Sequence, residues 1–528
     1  MKNCEEEGLM KSLNITICFL KQTYRRCLFY LQADIYFGKN LAGIPKHSFV
    51  LFPFHSSLLS CGLMGIVAYK RGKEKMDRLD LSLFEDTVRR IKENPYPSHV
   101  ENESFLDKNF FQESQLVSGA LKAARELKTE SHFYEILIKP MFQDKLLKIG
   151  EHISNIIHIQ EKWLAENMGD LIPDAVDAIA ERITHLKDIS WCISSEILNN
   201  IPKVKELSSN PDELLGRGAI KVFQQINAVM NSLDRLEVRG RDSAGISLMF
   251  ILKKEEFENR IASAGLRDHL NERTAKNILL NMGITISETK EKNEKPIVTV
   301  TLTYKVAIEI GSLGDNVKFL RGQIKEDAIV QMLIPFTHEY FTILSHTRWA
   351  SVGAITEANC HPVDNRSTGN RPTKDGIIHI CLNGDIDNYT VLRTEIEKSE
   401  YRIPPDVTTD TKIIPLQIQS YLQKGHEIEE AFRMAVNRFE GSHAISMHTN
   451  LAPGKIFLAQ KGSGQAIFIG LGENYYIPTS EVYGFVEETP IYLKMDGEKA
   501  VTGRNGKTQG QIFILSQKSI GGLDGIKA

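Results

Sequence analysis

Residues 60–69 read Ser60-Cys-Gly-Leu-Met-Gly-Ile-Val-Ala-Tyr69 (SCGLMGIVAY), and the reading of this stretch decides the fold. Its apolar run, with β-branched Ile66 and Val67 and a basic turn "KRGKEK" behind it, predicts a buried strand over 61–69. At the head of that strand stands Cys61, followed by Gly62. A cysteine in this position is either a small apolar residue packed into the strand or a nucleophile presented at its start. Taken alone, the stretch favours the packed cysteine.

Working outward, the 528 residues suffice for several domains, or for one domain with large insertions. A composition of 42% hydrophobic and 25% charged residues is that of a globular protein. A net charge of −3 gives no general attraction to nucleic acid or to an anionic membrane, so neither is expected as a partner. The seven cysteines are scattered and form no C-x-x-C, which argues against a disulfide scaffold or a zinc ribbon and for a cytoplasmic location. His346, His361 and His379 lack metal-ligand spacing, and neither a metal nor a cofactor is expected.

The apolar stretch 13–31 is interrupted by Lys21, Arg25 and Arg26, and no uninterrupted run reaches the ~20 residues of a membrane span. Glu5, Glu6 and Glu7 argue against a transit peptide. Residues 1–60 therefore read as a leader, either a pro-segment or a misassigned start, with a targeting signal as the alternative.

From about 77 to 215 apolar residues recur at helical spacing, as in Leu146, Ile149, Ile153, Ile156 and Ile157, and "SSNPDEL" offers a further helix start. Residues 70–215 are thus expected to be a helical insertion without a catalytic cluster. A helix is predicted over 216–236, then a turn and an apolar strand to 252. A second insertion over 253–299 is expected to be helical at first and loop-like at "SETKEKNEK". Strands are predicted at 297–304, 341–346, 377–382, 443–448, 455–460, 466–469 and 512–516, and helices at 386–399, 411–423 and 426–438. Strands and helices mixed without strict alternation predict an α+β fold. The chain closes with a short tail, 518–528.

Four stretches offer chemically different groups: Cys61-Gly62, "SHTRWASVGAITEANCHP" (345–362), "HICLNGDIDNY" (379–389) and "VTTDTK" (407–412). Amide cleavage needs a nucleophile, a base, oxyanion donors and a grip on the fixed end of the substrate. Cys61 can be the nucleophile, and the α-amine of a chain-terminal cysteine can be its base. Asn383 offers a side-chain N–H, and Gly384 a backbone N–H at a turn. Arg348 can hold a carboxylate bidentately, and Asp410 an ammonium. Each also has a plainer reading. Asn383-Gly384 can be a simple turn, Arg348 an ordinary ion pair, and Asp410 a charge at a helix N-terminus.

The order of these stretches resembles the class II, or N-terminal-nucleophile, glutamine amidotransferases, most closely the glutaminase half of the glutamine–fructose-6-phosphate aminotransferases. "CGLMGIVAY" is similar to their opening Cys-Gly-Ile-Val-Gly strand, and "LDRLEVRGRDSAGI" to their Leu-Glu-Tyr-Arg-Gly-Tyr-Asp-Ser-Ala-Gly. "SHTRWAS", "CLNGDIDNY" and "TTDTK" match their His-Thr-Arg-Trp-Ala-Thr, His-Asn-Gly-Ile-Ile-Glu-Asn-Tyr and Thr-Asp-Thr-Glu. "RGRDSAG" and "HTRWAS" favour this branch over phosphoribosyl amidotransferase and asparagine synthetase. The likeness covers 61–69 and roughly 216–252 and 300–517, so the glutaminase-like domain is discontinuous over 61–69 and 216–517.

The resemblance implies a four-layer αββα sandwich, like that of the N-terminal-nucleophile hydrolases, carrying large and mainly helical insertions. It implies that Cys61 attacks the glutamine amide while Asn383 and Gly384 hold the oxyanion. Arg348 and Ser351 then bind the α-carboxylate, and Asp410 with the Gly384 carbonyl binds the α-amine. Trp349 stands where the family gates ammonia, and Arg239 and Asp242 support the site. The implied reaction releases glutamate and ammonia for aminosugar synthesis. The acceptor would be a sugar phosphate on a C-terminal isomerase half that this chain lacks, or on a separate subunit. A catalytically silent glutamine-binding or scaffold module is the alternative. This sequence departs from the family's pattern: Val352 replaces a histidine, Lys412 replaces a glutamate and reverses a charge close to Asp410, insertions interrupt the domain, and, most seriously, Cys61 is not residue 1.

Overall fold

β-branched and apolar residues in the second half of the chain assemble two antiparallel sheets. A computed structural model describes residues 17–19, 61–68, 79–93, 108–211, 216–275, 280–289, 296–307, 312–336, 338–367, 376–399, 401–472, 474–500, 508–519 and 521–528. The expected leader, apart from 17–19, and the basic turn after the first strand lie outside the described residues. The chain divides into two compact units, one of Met1–Gly72 with Ala228–Ala528 and one of Lys73–Asn227.

The Lys73–Asn227 unit is helical among its described residues. It holds α1 (Ser82–Glu93), α2 (Lys108–Glu126), α3 (Glu130–Ile138), α4 (Pro140–Asn167), α5 (Pro173–Trp191) and α6 (Asn200–Glu206), and α7 (Arg217–Leu236) begins in it. Pro140 and Pro173 stand in the first turns of α4 and α5, where a missing N–H costs nothing. The predicted stripe Leu146, Ile149, Ile153, Ile156 and Ile157 is buried, as are Ile179, Ile183, Leu186 and Ile189 of α5. Of "SSNPDEL", residues 208–211 form turns and bends after α6 and residues 212–214 lie outside the described residues; among the described residues the next helix begins at Arg217.

The other unit holds the sheets. Its strands are β1 (Ile17–Phe19), β2 (Gly62–Ala68), β3 (Ser243–Lys253), β4 (Gly283–Thr289), β5 (Ile297–Ala307), β6 (Tyr340–Arg348), β7 (Val363–Asp364), β8 (Ile378–Gly384), β9 (His443–Thr449), β10 (Lys455–Lys461), β11 (Phe468–Leu471), β12 (Tyr475–Thr479), β13 (Ile491–Lys494), β14 (Lys499–Ala500), β15 (Thr508–Gln509), β16 (Gln511–Ser516) and β17 (Ile526–Lys527). A nine-stranded sheet runs β1-β13-β11-β12-β2-β6-β3-β5-β4, and a six-stranded sheet runs β17-β16-β10-β9-β8-β7. Every pair in both is antiparallel.

The two sheets face each other. Leu63, Val67 and Leu344 of the larger share one buried cluster with Ala444, Ile456, Leu458, Phe513 and Leu515 of the smaller. The other face of the smaller sheet, through Ile380, Leu382, Ile445, Met447 and Phe457, packs on three helices. These are α8 (Tyr389–Lys398), α9 (Ile413–Gln423) and α10 (Ile428–Arg438), which contribute Leu392, Ile396, Ile414, Leu416 and Phe432. On the larger sheet the helix Asp315–Glu326 packs against β3 and β5. The result is an α+β architecture with two sheets in mutual contact.

Several strands escaped the sequence reading, β4, β12 and β13 the longest of them. The segment expected to be loop-like at "SETKEKNEK" begins inside β4, where Ser287 pairs with Thr299. An edge strand tolerates such charges because one of its sides faces no neighbouring strand. β12 was hidden by Pro478, and the β12–β2 ladder is interrupted there, pairing at Tyr475, Tyr476 and Thr479.

Candidate active site

β2 occupies an interior position between β12 and β6, so Cys61 at its head comes beside the end of β6. The register sets Gly62 opposite Thr347. The Trp349 N–H reaches Cys61 Sγ at 3.3 Å, and the thiol in turn lies 3.4 Å from the Trp349 carbonyl oxygen. The residue is half-buried. Burial pushes the thiol up to about 11, against the pull of the Trp349 N–H and of Arg348, while Asp385 and Asp410 push it the same way as burial.

β8 delivers Asn383 and Gly384. Asn383 is fully buried and its Nδ2 donates to the Cys61 carbonyl oxygen at 2.8 Å. Its Oδ1 accepts from His346 Nε2 at 3.0 Å, and the same ring nitrogen lies 2.9 Å from the Leu382 carbonyl oxygen. Two acceptors at one nitrogen put the proton on Nε2, which in turn fixes which way the Asn383 amide points. Burial, reinforced by Arg348, lowers His346 to about 3, so the ring is neutral. Gly384 has φ of 86°, and a Cβ there would meet the Ser442 carbonyl oxygen at 2.2 Å. Only glycine can hold this turn.

Arg348 ends β6 with a buried side chain. Its Nη1 donates to the Ala354 carbonyl at 3.2 Å and its Nη2 to that of Val352. The replaced histidine position therefore contributes its backbone to the guanidinium, and the loss of a ring leaves that contact intact. Asp242 pins the segment from behind, donating its N–H to the Arg348 carbonyl at 3.1 Å and accepting the Ala350 N–H at 2.9 Å. Gly240 allows the close approach, since a Cβ would lie 2.6 Å from the Trp349 nitrogen. Arg239 is ion-paired with Glu481, and Trp349 is exposed.

Asp410 is buried, and its Oδ2 accepts the Ile386 N–H at 2.8 Å. Burial raises its pKa, partly offset by the N–H groups of Ile386 and Thr411, and Asp385 raises it further. Lys412 does not oppose Asp410 as the sequence suggested. Its Nζ lies 2.8 Å from Asp364 Oδ1 and donates to the Asp364 carbonyl at 2.7 Å. Burial alone would raise Asp364, but Lys412 and Arg366 outweigh it and bring the carboxyl to about 2.

Ser351 is exposed and donates its hydroxyl to Asp385 Oδ1 at 2.6 Å. The structure thus brings Cys61, Arg348, Trp349, Asn383, Gly384 and Asp410 into one constellation, with Asp242 beneath it and Arg239 held by Glu481. Sequence reasoning missed His346 and Asp385. The signals for them were His346 two residues before Arg348, on the same face of β6, and a charge immediately after Asn383-Gly384. Among the described residues no group of three or more His, Cys, Asp or Glu side chains is placed to hold a metal.

Part of the chain has an alignable likeness to known glutamine-dependent amidotransferases. In particular, it is similar to proteins named glutamine–fructose-6-phosphate aminotransferases. It is 32% identical over 184 residues to that of Sulfurisphaera tokodaii, covering 35% of this chain and 29% of the relative. Against that of Methanothermobacter thermautotrophicus it is 32% identical over 173 residues, covering 31% and 27%. The chain spans less than a third of the length of these curated relatives. No protein-family model matches it. Among solved structures, the glutamine phosphoribosylpyrophosphate amidotransferase from B. subtilis overlaps 54% of this chain and 48% of its own, at 16% identity and a TM-score of 0.29.

Proposed function

We propose that the unit carrying Cys61 is a glutaminase, releasing glutamate and ammonia from glutamine through a thioester on Cys61. The observation that carries this reading is the convergence on Cys61 of an amide donor, a buried arginine and a buried carboxylate drawn from three separate segments. Arg348 takes the α-carboxylate with its remaining N–H groups, and Asp410 takes the α-ammonium. The thiolate then attacks the amide carbon, and the oxyanion is stabilised by Asn383 Nδ2 and the Gly384 N–H. The C–N bond breaks as the base returns its proton to the departing nitrogen, and water afterwards cleaves the thioester. The Asn383 amide must leave the Cys61 carbonyl to do this.

The base is the α-amine of Cys61, free only where the Ser60–Cys61 bond is cut. While that bond stands, a thiol titrating at about 11 leaves about one molecule in ten thousand ionised at neutral pH. The mutual contact of the sheets, with helices on the outer face of each, supports a four-layer αββα sandwich of the N-terminal-nucleophile type. The relatives are named for fructose 6-phosphate, and that supports a sugar-phosphate acceptor, on a further domain or subunit, in aminosugar synthesis. A cytoplasmic location accords with this chemistry. Among the described residues no helix is long and apolar enough to cross a membrane.

The high thiol pKa of the uncut chain favours one second reading, a silent glutamine-binding module. Intact mass and a glutamate-release assay on the purified protein separate the two. A species beginning at Cys61 that releases glutamate from glutamine is expected, and a stable uncut chain that releases none would sink the enzyme reading.

A further inference from the structure

Consecutive residues of one turn bind three parts of the site together. Asn383 holds the Cys61 carbonyl, Gly384 turns the chain, Asp385 accepts the Ser351 hydroxyl at 2.6 Å, and the Ile386 N–H is taken by Asp410. Asp385 therefore directly precedes the residue whose N–H Asp410 accepts. A hydroxyl donating to a carboxylate presents only lone pairs elsewhere, so Ser351 in this arrangement has no proton for a substrate carboxylate. Both carboxylates act on Cys61 and Asp385 acts on Asp410, which keeps all three within electrostatic reach.

The neighbouring cations do not balance this pair. Arg239 is held by Glu481, Lys412 by Asp364, and His346 is neutral. Among the described residues named here Arg348 remains, one positive charge against two negative ones. An amino acid that gives its carboxylate to Arg348 then brings its ammonium to two carboxylates.

We infer that Asp385 is a second ammonium-binding residue, acting with Asp410 to make the site selective for a substrate with a free α-ammonium. This rests on the glutamine reading above and adds to it the residue that enforces the charge of the substrate. The Ser351 hydroxyl stays on Asp385 Oδ1 while the ammonium meets the rest of the carboxylate, so the hydroxyl is not the source of affinity.

The test is calorimetric titration of the purified full chain with L-glutamine, for wild type, Asp385→Asn, Asp385→Glu and Ser351→Ala. Loss of a charged hydrogen-bond partner is expected to weaken binding about tenfold or more in Asp385→Asn. Asp385→Glu, which keeps the charge, is expected to recover most of that loss, and Ser351→Ala to change affinity less than about threefold. An Asp385→Asn affinity within that same margin of wild type overturns the inference, as does a Ser351→Ala loss equal to that of Asp385→Asn. In either case the glutamine reading survives. A wild-type chain that does not bind L-glutamine overturns both. A misfolded Asp385→Asn protein is recognised by its circular dichroism, and the decision then passes to Asp385→Glu against Ser351→Ala. Under the inference the glutamate variant retains affinity within about threefold, and a larger loss there refutes it.

Discussion

Asn383 Nδ2 donates to the carbonyl oxygen of Cys61 at 2.8 Å, across 322 residues of sequence. The contact means that the amide which would hold an oxyanion is parked on the backbone of the residue that would make one. Its orientation is set by His346, whose Nε2 proton faces Asn383 Oδ1.

Asn383→Ala removes this donor while leaving Arg348 and Asp410 in place. In the active form the expected result is a kcat about 10²–10³-fold lower, with KM changed little. Steady-state glutamate release checks it, and an equal rise in KM would assign Asn383 to ground-state binding.

His346→Gln tests the positioning role one step back. The variant keeps a donor but loses the ring that fixes the Asn383 amide, so kcat is expected to fall by about tenfold while the Cys61 thiol stays alkylatable. Comparing turnover with alkylation separates loss of orientation from loss of the nucleophile.

Alkylation by iodoacetamide reports the thiol directly. For Cys61 in the uncut chain the rate is expected to climb through pH 9 and 10 toward a midpoint at about 11, because burial disfavours the thiolate. Peptide mass spectrometry of the labelled protein reads this site by site. A midpoint near or below the ordinary thiol range would show that the sulfur is activated without any cut.

Acid should destabilise the sheet unit well above the carboxylate range. Burial lowers His346 and His379 to about 3, and lowers His361 and His448 well below their usual value. A lowered folded-state pKa means that the unfolded chain binds more protons below about pH 6.5, so stability is full above that pH and falls as pH drops toward 3. Each such histidine contributes a slope of about 1.4 kcal/mol per pH unit in that window. Urea denaturation between pH 7 and 5 checks the sign, and a midpoint that rises on acidification would contradict it.

Lys412→Glu restores the residue type of the related family and is nonetheless expected to destabilise. Lys412 and Asp364 are both buried and paired at 2.8 Å, and the substitution would set two carboxylates against each other. Losing one partner of a buried pair costs about 3–5 kcal/mol, and like charges add to this. Thermal unfolding measures it.

Much of the architecture was legible because burial leaves a period in the sequence. The stripe from Leu146 to Ile157 and the apolar runs at 297–304 and 443–448 each announced their element within a few residues. β4 and β12 were not legible, because Glu288 on an edge strand and Pro478 beside an interrupted ladder both disguise a strand locally. Similarly, Cys61, Arg348, Asn383-Gly384 and Asp410 could be named from their chemistry, whereas Asp385 looked like one more turn residue.

The sequence by itself determined the kinds of group available, their order along the chain, and which faces of each segment must be buried. Tertiary structure alone decided the partners. It gave Lys412 to Asp364 and not to Asp410, Ser351 to Asp385, and the Asn383 amide to Cys61. The reason is physical: periodicity reports whether a side chain is buried, but a charge or hydrogen-bond donor interacts with whatever the packing of distant strands places within about 3 Å of it.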